Sequence, residues 1–573
     1  MVMMALVLLT NRRPKMSRLR PLLRNYRQDV MIMAIIGSFA GLLLFWNLGG
    51  KYLWQDEAAT GILAERLLRY GKPMSYDGTN LVTIDYYAAE DLDTIEERSA
   101  NPAVMIDYYS RRGDFKRDMT WTWQPWGQFI VAAAALKLFG HDAAGMRLPF
   151  ALASLLTLWL FYYLVRRQTG SVLLATLATA LLTANCYWIL DGRQCRYYAL
   201  SCLCFVLLLL AYARWRRAER YGAVLFVVAD WCFFQVDYGS VLPISLVLFA
   251  YTLLTDSKRR RETFYAGTAF AASIAPFFFY YGMNARLAIR SMPLNELFWS
   301  HFFNLNQYIL PVVVMLAAVL LLKLAGSRVR EEERHLVSIA LWLVPAMLFW
   351  LTMVTPTVFL RYCMVIAPVG AFLIAWTFVR GSEWLWPERN ALCATAACAF
   401  SLFIAVSPWA SKPAGWLVPK LYRGETGTVV RAELSRLYTE VFGHEPDPNR
   451  LLVEWLKANA APTDEIMINY EELPLVFYLP NPIRGGIGAF RVRDNAKTAP
   501  RFAILRPSVW FVFWPTYEHE VKQFRWETLN VNIPDVVWGN NPDPNAHTRD
   551  PVKPRNVFIA RRVDEEVATT GTK

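Results

Sequence analysis

The chain has 573 residues, of which 55% are hydrophobic, 14% aromatic and only 19% charged. With a mean hydropathy of +0.23 this is too apolar for an ordinary soluble enzyme, and it indicates an α-helical polytopic membrane protein. The net charge of +13 does not argue for nucleic acid, because Lys and Arg cluster between apolar runs instead of forming one polar stripe.

In chain order, "MVMMALVLLT" is followed by "NRRPKMSRLRPLLRNYR", the reverse of a signal peptide's charge-then-apolar order. That favours Met16 as the start and residues 1–28 as a basic cytoplasmic N-terminus. The stretch "DVMIMAIIGSFAGLLLFWNLGG" (29–50) is long enough to span about 30 Å of hydrocarbon at roughly 1.5 Å per residue. By the positive-inside rule it runs outward, so Asp56 and Glu57 emerge on the outer side. Inward crossings near 145–165, 197–213, 238–255, 304–325 and 361–380 end in "RR" (166–167), "RWRRAER" (214–220), "SKRRR" (257–261), "SRVREEER" (327–334) and Arg380. Outward crossings near 171–190, 222–237, 263–283, 336–354 and 390–408 interleave with them. The sum is eleven spans.

The apolar stretch "WGQFIVAAAALKLFG" (126–140) is short, and counting it as a crossing would place every later basic loop outside. It is expected to lie on, or dip into, the outer surface. Residues 51–144 then form a long first outer loop containing Asp56, Glu57, the acidic "YYAAEDLDTIEERS" (86–99) and the aromatic "TWTWQPW" (120–126). The expected domains are 29–410 in the membrane and 411–573 outside. The latter has helix-like "RLLVEWLKANA" (450–460) and strand-like "DEIMINY" (464–470), "SVWFVFW" (508–514) and "NVFIARR" (556–562), as in a small α/β domain. Eight cysteines lie almost wholly in apolar segments, none after Cys398, so no extracytoplasmic disulfide framework is indicated. The six scattered histidines form no metal motif.

Taken alone, Asp56 and Glu57 are either acids of a helix's first turn or a catalytic base held beside a membrane. Arg193, Arg196 and Arg361 fall on the side where basic residues are disfavoured. They suit bidentate recognition of phosphate, against the alternative of snorkelling toward head groups. Arg286 and Arg290 carry the same two readings. Trp121, Trp123 and Trp126 serve as interface anchors or sugar platforms. Asp237 and Tyr238 mark an outer hairpin turn, and Asp230, inside a span, has no assignment. An outer loop rich in acid at a membrane surface suits transfer from a lipid-carried donor to an acceptor from the other compartment.

"WQDEAATGILAERLLRYGKP" (54–73), "WQPWGQFIVAAAALKLFGHDAAGMRLPFALASLLTLWLFYYLVRR" (123–167), "DGRQCRYYAL" (191–200), "VDYGSVLPISLVLFAYTLL" (236–254) and "RYCMVIAPV" (361–369) occur in an order and spacing that resembles the GT-C glycosyltransferases using polyprenyl-phosphate sugars. Within these, the chain is most similar to the group of protein O-mannosyltransferases and the lipid A aminoarabinose transferase. The resemblance covers roughly residues 30 to 380. It implies a GT-C fold in a bacterial inner membrane and transfer of a hexose or pentose, with inversion, from a polyprenyl-phosphate donor to an extracytoplasmic acceptor. It implies that Asp56 is the base, Glu57 a supporting residue and Asp191 a second carboxylate. Arg193, Arg196, Arg361, Gln124, Tyr198, Trp123 and Asp237 are the implied substrate-binding residues. Metal dependence stays open, with Asp56, Glu57 and Asp191 as the candidate ligands for a divalent cation.

Two positions depart from the family pattern. Gln194 stands where many relatives have an acid between the two arginines, and Gln124 stands where Lys or His often precedes proline, so Arg196 and Arg361 carry more of the electrostatic load. The competing readings are a transporter or flippase of lipid-linked saccharides, which needs ionisable groups near mid-membrane, and a ligase acting on pyrophosphate-linked glycans.

Overall fold

The computed structural model describes residues 19–82, 110–111, 113–283, 293–355, 358–387, 390–406, 437–443 apart from 439, 446–485, 500–507, 521–535 apart from 523, and 555–563. The acidic stretch 86–99, Arg286, Arg290 and the strand predicted over 508–514 lie outside these residues.

A helix or a bent helix pair occupies each of the eleven predicted spans. These are α1 (Leu19–Phe45), α4 (Ala143–Thr169), α5 with α6 (Val172–Thr183, Cys186–Gly192), α7 (Tyr197–Arg216), α8 (Gly222–Phe234), α9 (Tyr238–Thr255) and α10 (Arg260–Tyr280). They continue as α11 with α12 (Leu294–Asn304, Val312–Ala325), α13 (Glu331–Val354), α14 (Ala367–Leu385) and α15 (Asn390–Val406). Two further helices, α2 (Gln55–Tyr70) and α3 (Gly127–Phe139), lie between α1 and α4. By length and hydropathy, six helices among the described residues can cross a bilayer, or up to eight if each bent pair is one span. Of the eleven helical segments found where eleven spans are expected, six to eight are thus long and apolar enough by themselves to cross. The α8 and α15 segments are apolar but short, and α10 contains Thr, Tyr and Pro, which dilute its hydropathy.

The bends have local causes. Between α5 and α6 the axis turns by 68°; there Asn185 accepts from Trp188 N–H at 3.0 Å and donates to Tyr308 O at 3.0 Å, capping the new helix. The 74° bend before α12 falls at Pro311, which has no N–H to continue the ladder, and Asn306 Oδ1 accepts from Val312 N–H at 2.9 Å in its place. The basic helix ends meet one another: Arg216 pairs with Asp256 and with His335, Arg167 with Glu219, and Arg217 with Gln168. Because α7 has 20 residues, this end stands about 30 Å from Arg196. The basic loops thus share one end of the bundle and Arg196 marks the other.

The predicted surface helix 126–140 is α3, which packs between α2 and α4, with Phe129, Ala132 and Ala133 buried. The C-terminal unit is a small α/β layer of α16 (Pro448–Asn459), α17 (Glu472–Tyr478) and a five-stranded sheet. Here β1 (Ile466–Ile468) runs parallel to β2 (Ile483–Gly485) and β3 (Phe502–Leu505), whereas β5 (Phe558–Arg562) is antiparallel to β3 and to β4 (Trp526–Leu529), giving the order β2-β1-β3-β5-β4.

This unit docks on α2. Gln55 Nε2 donates to Glu472 Oε1 at 2.8 Å, and Gln55 Oε1 accepts from Leu473 N–H at 3.2 Å. Tyr52 N–H donates to Asp447 at 2.6 Å, and Asn80 accepts from Ile483 N–H at 2.9 Å. Helix α17 approaches so closely that a Cβ on Gly61 would stand 2.6 Å from the Phe477 ring. The absence of a side chain at Gly61 sets the contact.

Burial pushes the Glu472 carboxyl up to about 7. Its proton is bound more tightly in the docked state, so its contribution to stability is complete below the ordinary carboxylate range and is lost as pH rises through about 7. Thermal unfolding of the full-length protein is expected to shift to lower temperature between about pH 5 and about pH 8. Glu472→Gln should flatten that slope; an unchanged slope in the variant would contradict the assignment.

Candidate active site

Helix α2 begins where Trp54 N–H reaches back to Glu57 Oε2 at 3.4 Å, and it ends at Gly71 (φ 72), whose N–H reaches Leu67 O. This start sends the two neighbouring acids in different directions. Glu57 is fully buried. It accepts Arg147 Nε at 2.8 Å and Nη2 at 2.5 Å, and also Cys195 N–H at 2.8 Å. The rest of the Arg147 fork donates to Leu48 O, Lys51 O and Tyr52 O. One ion pair thus ties together the exit of α1, the start of α2, helix α4 and the loop that carries Arg196. Glu57 is a structural anchor.

Asp56 faces the other way, into a cavity of about 390 Å³. Its Oδ2 stands 3.5 Å from Arg196 Nη2 and 3.5 Å from Arg361 Nη2. Its side chain keeps 26% exposure, against 7% for Arg196 and 14% for Arg361, so the carboxylate is the open member of the triad. Arg196 is held by Asp56 O at 3.1 Å and Thr60 Oγ1 at 3.2 Å. Burial alone would loosen its proton, but the neighbouring acidic groups, Asp56 foremost with Tyr198 and Tyr197, together outweigh this and the guanidinium is held above its ordinary value. Arg361 lies on the 3₁₀ turn Leu360–Ile366 before α14, its guanidinium 3.9 Å from the Phe359 ring centroid and 5.7 Å from that of Trp54.

Gln124, Trp123, Tyr198 and Asp237 complete the predicted residues that line this cavity. Asp237 caps α9 by accepting Ser240 N–H at 3.1 Å, and burial pushes its carboxyl up. Trp123 O accepts from the Tyr238 hydroxyl at 2.6 Å, fixing the aromatic run against α9. Trp121 also faces the cavity, whereas Trp126 is outside its lining.

Three expectations need correction. Arg193 does not line the cavity: its Nη1 and Nη2 donate to Leu43 O and Trp46 O, both at 2.7 Å, which caps the C-terminal end of α1. Burial and the nearby Arg147 charge push its pKa down to about 10, so it remains a cation. Asp191, on α6, is buried outside the cavity lining, and the second carboxylate at the cavity is Asp237. Finally, with Glu57 committed to Arg147 and Asp191 elsewhere, the three acids expected to hold a divalent ion do not converge. Among the described residues no group of three or more His, Cys, Asp or Glu is arranged to hold a metal.

Sequence reasoning also missed residues. Arg147 had a signal, a charge inside the apolar run 145–165 that demands a buried partner. Gln55, Thr60 and Tyr470 had none, because their roles arise from contacts across long sequence separations, and nothing in the sequence marked Phe359, beside Arg361, among the many aromatics.

The bundle, its bent helix pairs and the C-terminal α/β unit make the GT-C fold. The solved structure of ArnT from Cupriavidus metallidurans bound to undecaprenyl phosphate is 12% identical, matches over 95% of this chain and 99% of that one, and superposes with a TM-score of 0.52. The apo ArnT structure gives 13% identity, 94% and 98% coverage, and a TM-score of 0.52. The Archaeoglobus fulgidus oligosaccharyltransferase tethered to an acceptor peptide matches over 90% of this chain and 75% of that one at 10% identity, with a TM-score of 0.51. In sequence, residues 124–280 match the family described as dolichyl-phosphate-mannose-protein mannosyltransferase. No curated protein matches the chain in sequence.

The two acids should separate in stability measurements. Glu57→Ala strands the buried Arg147 charge and is expected to destabilise the protein by roughly 3–5 kcal/mol. Asp56→Asn should cost much less in thermal unfolding of the purified variants. Equal losses would contradict the division of roles.

Proposed function

We propose that this protein is a membrane glycosyltransferase that moves a sugar, with inversion, from a polyprenyl-phosphate donor to an extracytoplasmic acceptor. The observation that carries this reading is the Asp56 carboxylate set between Arg196 and Arg361 at the mouth of an apolar bundle. The fold shared with an ArnT bound to undecaprenyl phosphate supports it.

Two guanidiniums and one carboxylate give the triad a net positive charge, and a phosphate monoanion entering beside Arg196 and Arg361 would satisfy it. The same event frees Asp56, because the cations that held it turn to the phosphate. The acceptor O–H then loses its proton to Asp56 as its oxygen bonds the anomeric carbon. The bond from that carbon to the phosphate oxygen breaks, and its electron pair leaves on the phosphate. A polyprenyl phosphate is already a stable anion, so no general acid is needed. A single displacement of this kind inverts the anomeric centre, in contrast with the paired carboxylates of glycoside hydrolases. No step is routed through a metal.

Placing the basic end of the bundle in the cytoplasm puts the cavity and the C-terminal unit on the extracytoplasmic face of a bacterial inner membrane. A transporter is less well supported, since the charged groups at the cavity gather at a helix end and pair there.

The test uses purified protein in lipid nanodiscs, with undecaprenyl phosphate as ligand and undecaprenyl-phosphate-linked sugars as donors. Asp56→Asn should lower transfer by about 10²- to 10⁴-fold while retaining undecaprenyl phosphate binding. Arg361→Ala should weaken that binding by about tenfold or more. Full transfer by Asp56→Asn would remove the base assignment, and undiminished lipid binding by Arg361→Ala would remove the phosphate site.

A further inference from the structure

The roof of the cavity comes from the other end of the sequence. Tyr470 and Leu473, both in the C-terminal unit, line the same space as Asp56, Arg196, Trp121 and Trp123. Leu473 and Trp121 belong to one buried apolar cluster, with Trp123 packed on its edge.

The segment bearing Tyr470 is held from every side. Asn469 Oδ1 accepts from Arg506 N–H at 2.8 Å. Glu471 adopts a left-handed backbone conformation (φ 62, ψ 42), which costs a non-glycine residue about 1 kcal/mol or more. Its carboxylate is clamped at 3.0 Å by Arg506 Nη1, a guanidinium only 1% exposed that also pairs with Asp535. Glu472 and Leu473 grip Gln55, the residue immediately before Asp56. A strained residue kept in place by a buried ion pair, beside a ring that faces the reaction space, is a device for setting that ring's position.

We infer that Tyr470 is an acceptor-binding residue and that the acceptor presents its hydroxyl on a sugar ring. This rests on the transferase reading and deepens it. Sugar rings have apolar C–H faces and hydroxyl edges. The space around Asp56 offers both complements: aromatic rings from Tyr470 and Trp123, and hydrogen-bonding groups from Gln124 and Asp237. A roof joined to Gln55 sits above the carboxylate that takes the acceptor's proton, whereas the lipid donor must arrive from the membrane-embedded helices. Arg506 and Glu471 are positioning residues, acting through Tyr470.

The experiment titrates the full-length protein in nanodiscs with methyl glycosides of mannose, arabinose, glucose and galactose, read by saturation-transfer NMR. N-acetylserine methylamide serves as the peptide-like contrast, and undecaprenyl phosphate binding is measured on the same samples. At least one glycoside should bind, more tightly than the serine probe. Tyr470→Ala should weaken it about three- to tenfold, and Tyr470→Phe, which keeps the ring, should change it less than about twofold. Glu471→Gly, which tolerates the left-handed backbone but lacks the ion pair, should behave like Tyr470→Ala. Undecaprenyl phosphate binding should be unchanged in all three variants. The inference is overturned if no glycoside binds, if the serine probe binds better, if Tyr470→Ala binds as the wild type does, or if both ligands are lost together. Failure of the wild-type protein to bind undecaprenyl phosphate would instead overturn the transferase reading.

Discussion

The buried pair between Glu57 and Arg147 is the constraint on which the site depends. Desolvating both charges is costly, and it is offset only because every arm of the Arg147 fork finds an acceptor while Glu57 also receives two backbone N–H groups. Those acceptors belong to segments far apart in sequence. Fixing them together fixes the start of α2, and therefore Asp56. It also fixes Cys195, and therefore the adjacent Arg196. The buried acid positions the one that faces the cavity.

On that platform the cavity is assembled with few charges, three of them in contact. Asp56 pairs with both Arg196 and Arg361, which offsets the cost of withdrawing two cations from water; under the proposed function, the lipid phosphate would take its place. Thr60 and the Asp56 carbonyl hold Arg196 from behind, while Phe359 and Trp54 flank Arg361. The C-terminal unit closes the space from above, and its grip on Gln55 couples its own order to the geometry next to Asp56.

Much of this was legible in the sequence, because hydropathy and the spacing of basic loops report directly on helices in a bilayer. The helices fell where the apolar runs and basic loops placed them, and Asp56, Arg196 and Arg361 could be singled out by charge in an unexpected place. Fewer than eleven of the segments are by themselves long and apolar enough to cross, because α8 and α15 are short and α10 carries Thr, Tyr and Pro. Arg193 and Asp191 were misplaced because they sit within a few residues of Arg196, and sequence proximity does not reveal which side chain turns toward the cavity. Tyr470 was invisible because its place depends on contacts across more than 400 residues. The backbone strain at Glu471 leaves no mark in composition.

The central claim is that Arg196 and Arg361 exchange Asp56 for a lipid phosphate. A cryo-electron-microscopy structure of the full-length protein with undecaprenyl phosphate tests it most directly. The account predicts phosphate oxygens within hydrogen-bonding distance of both guanidiniums, with the Asp56 carboxylate turned away from them toward the roof. A head group bound elsewhere, with both Asp56–arginine pairs intact, would contradict it.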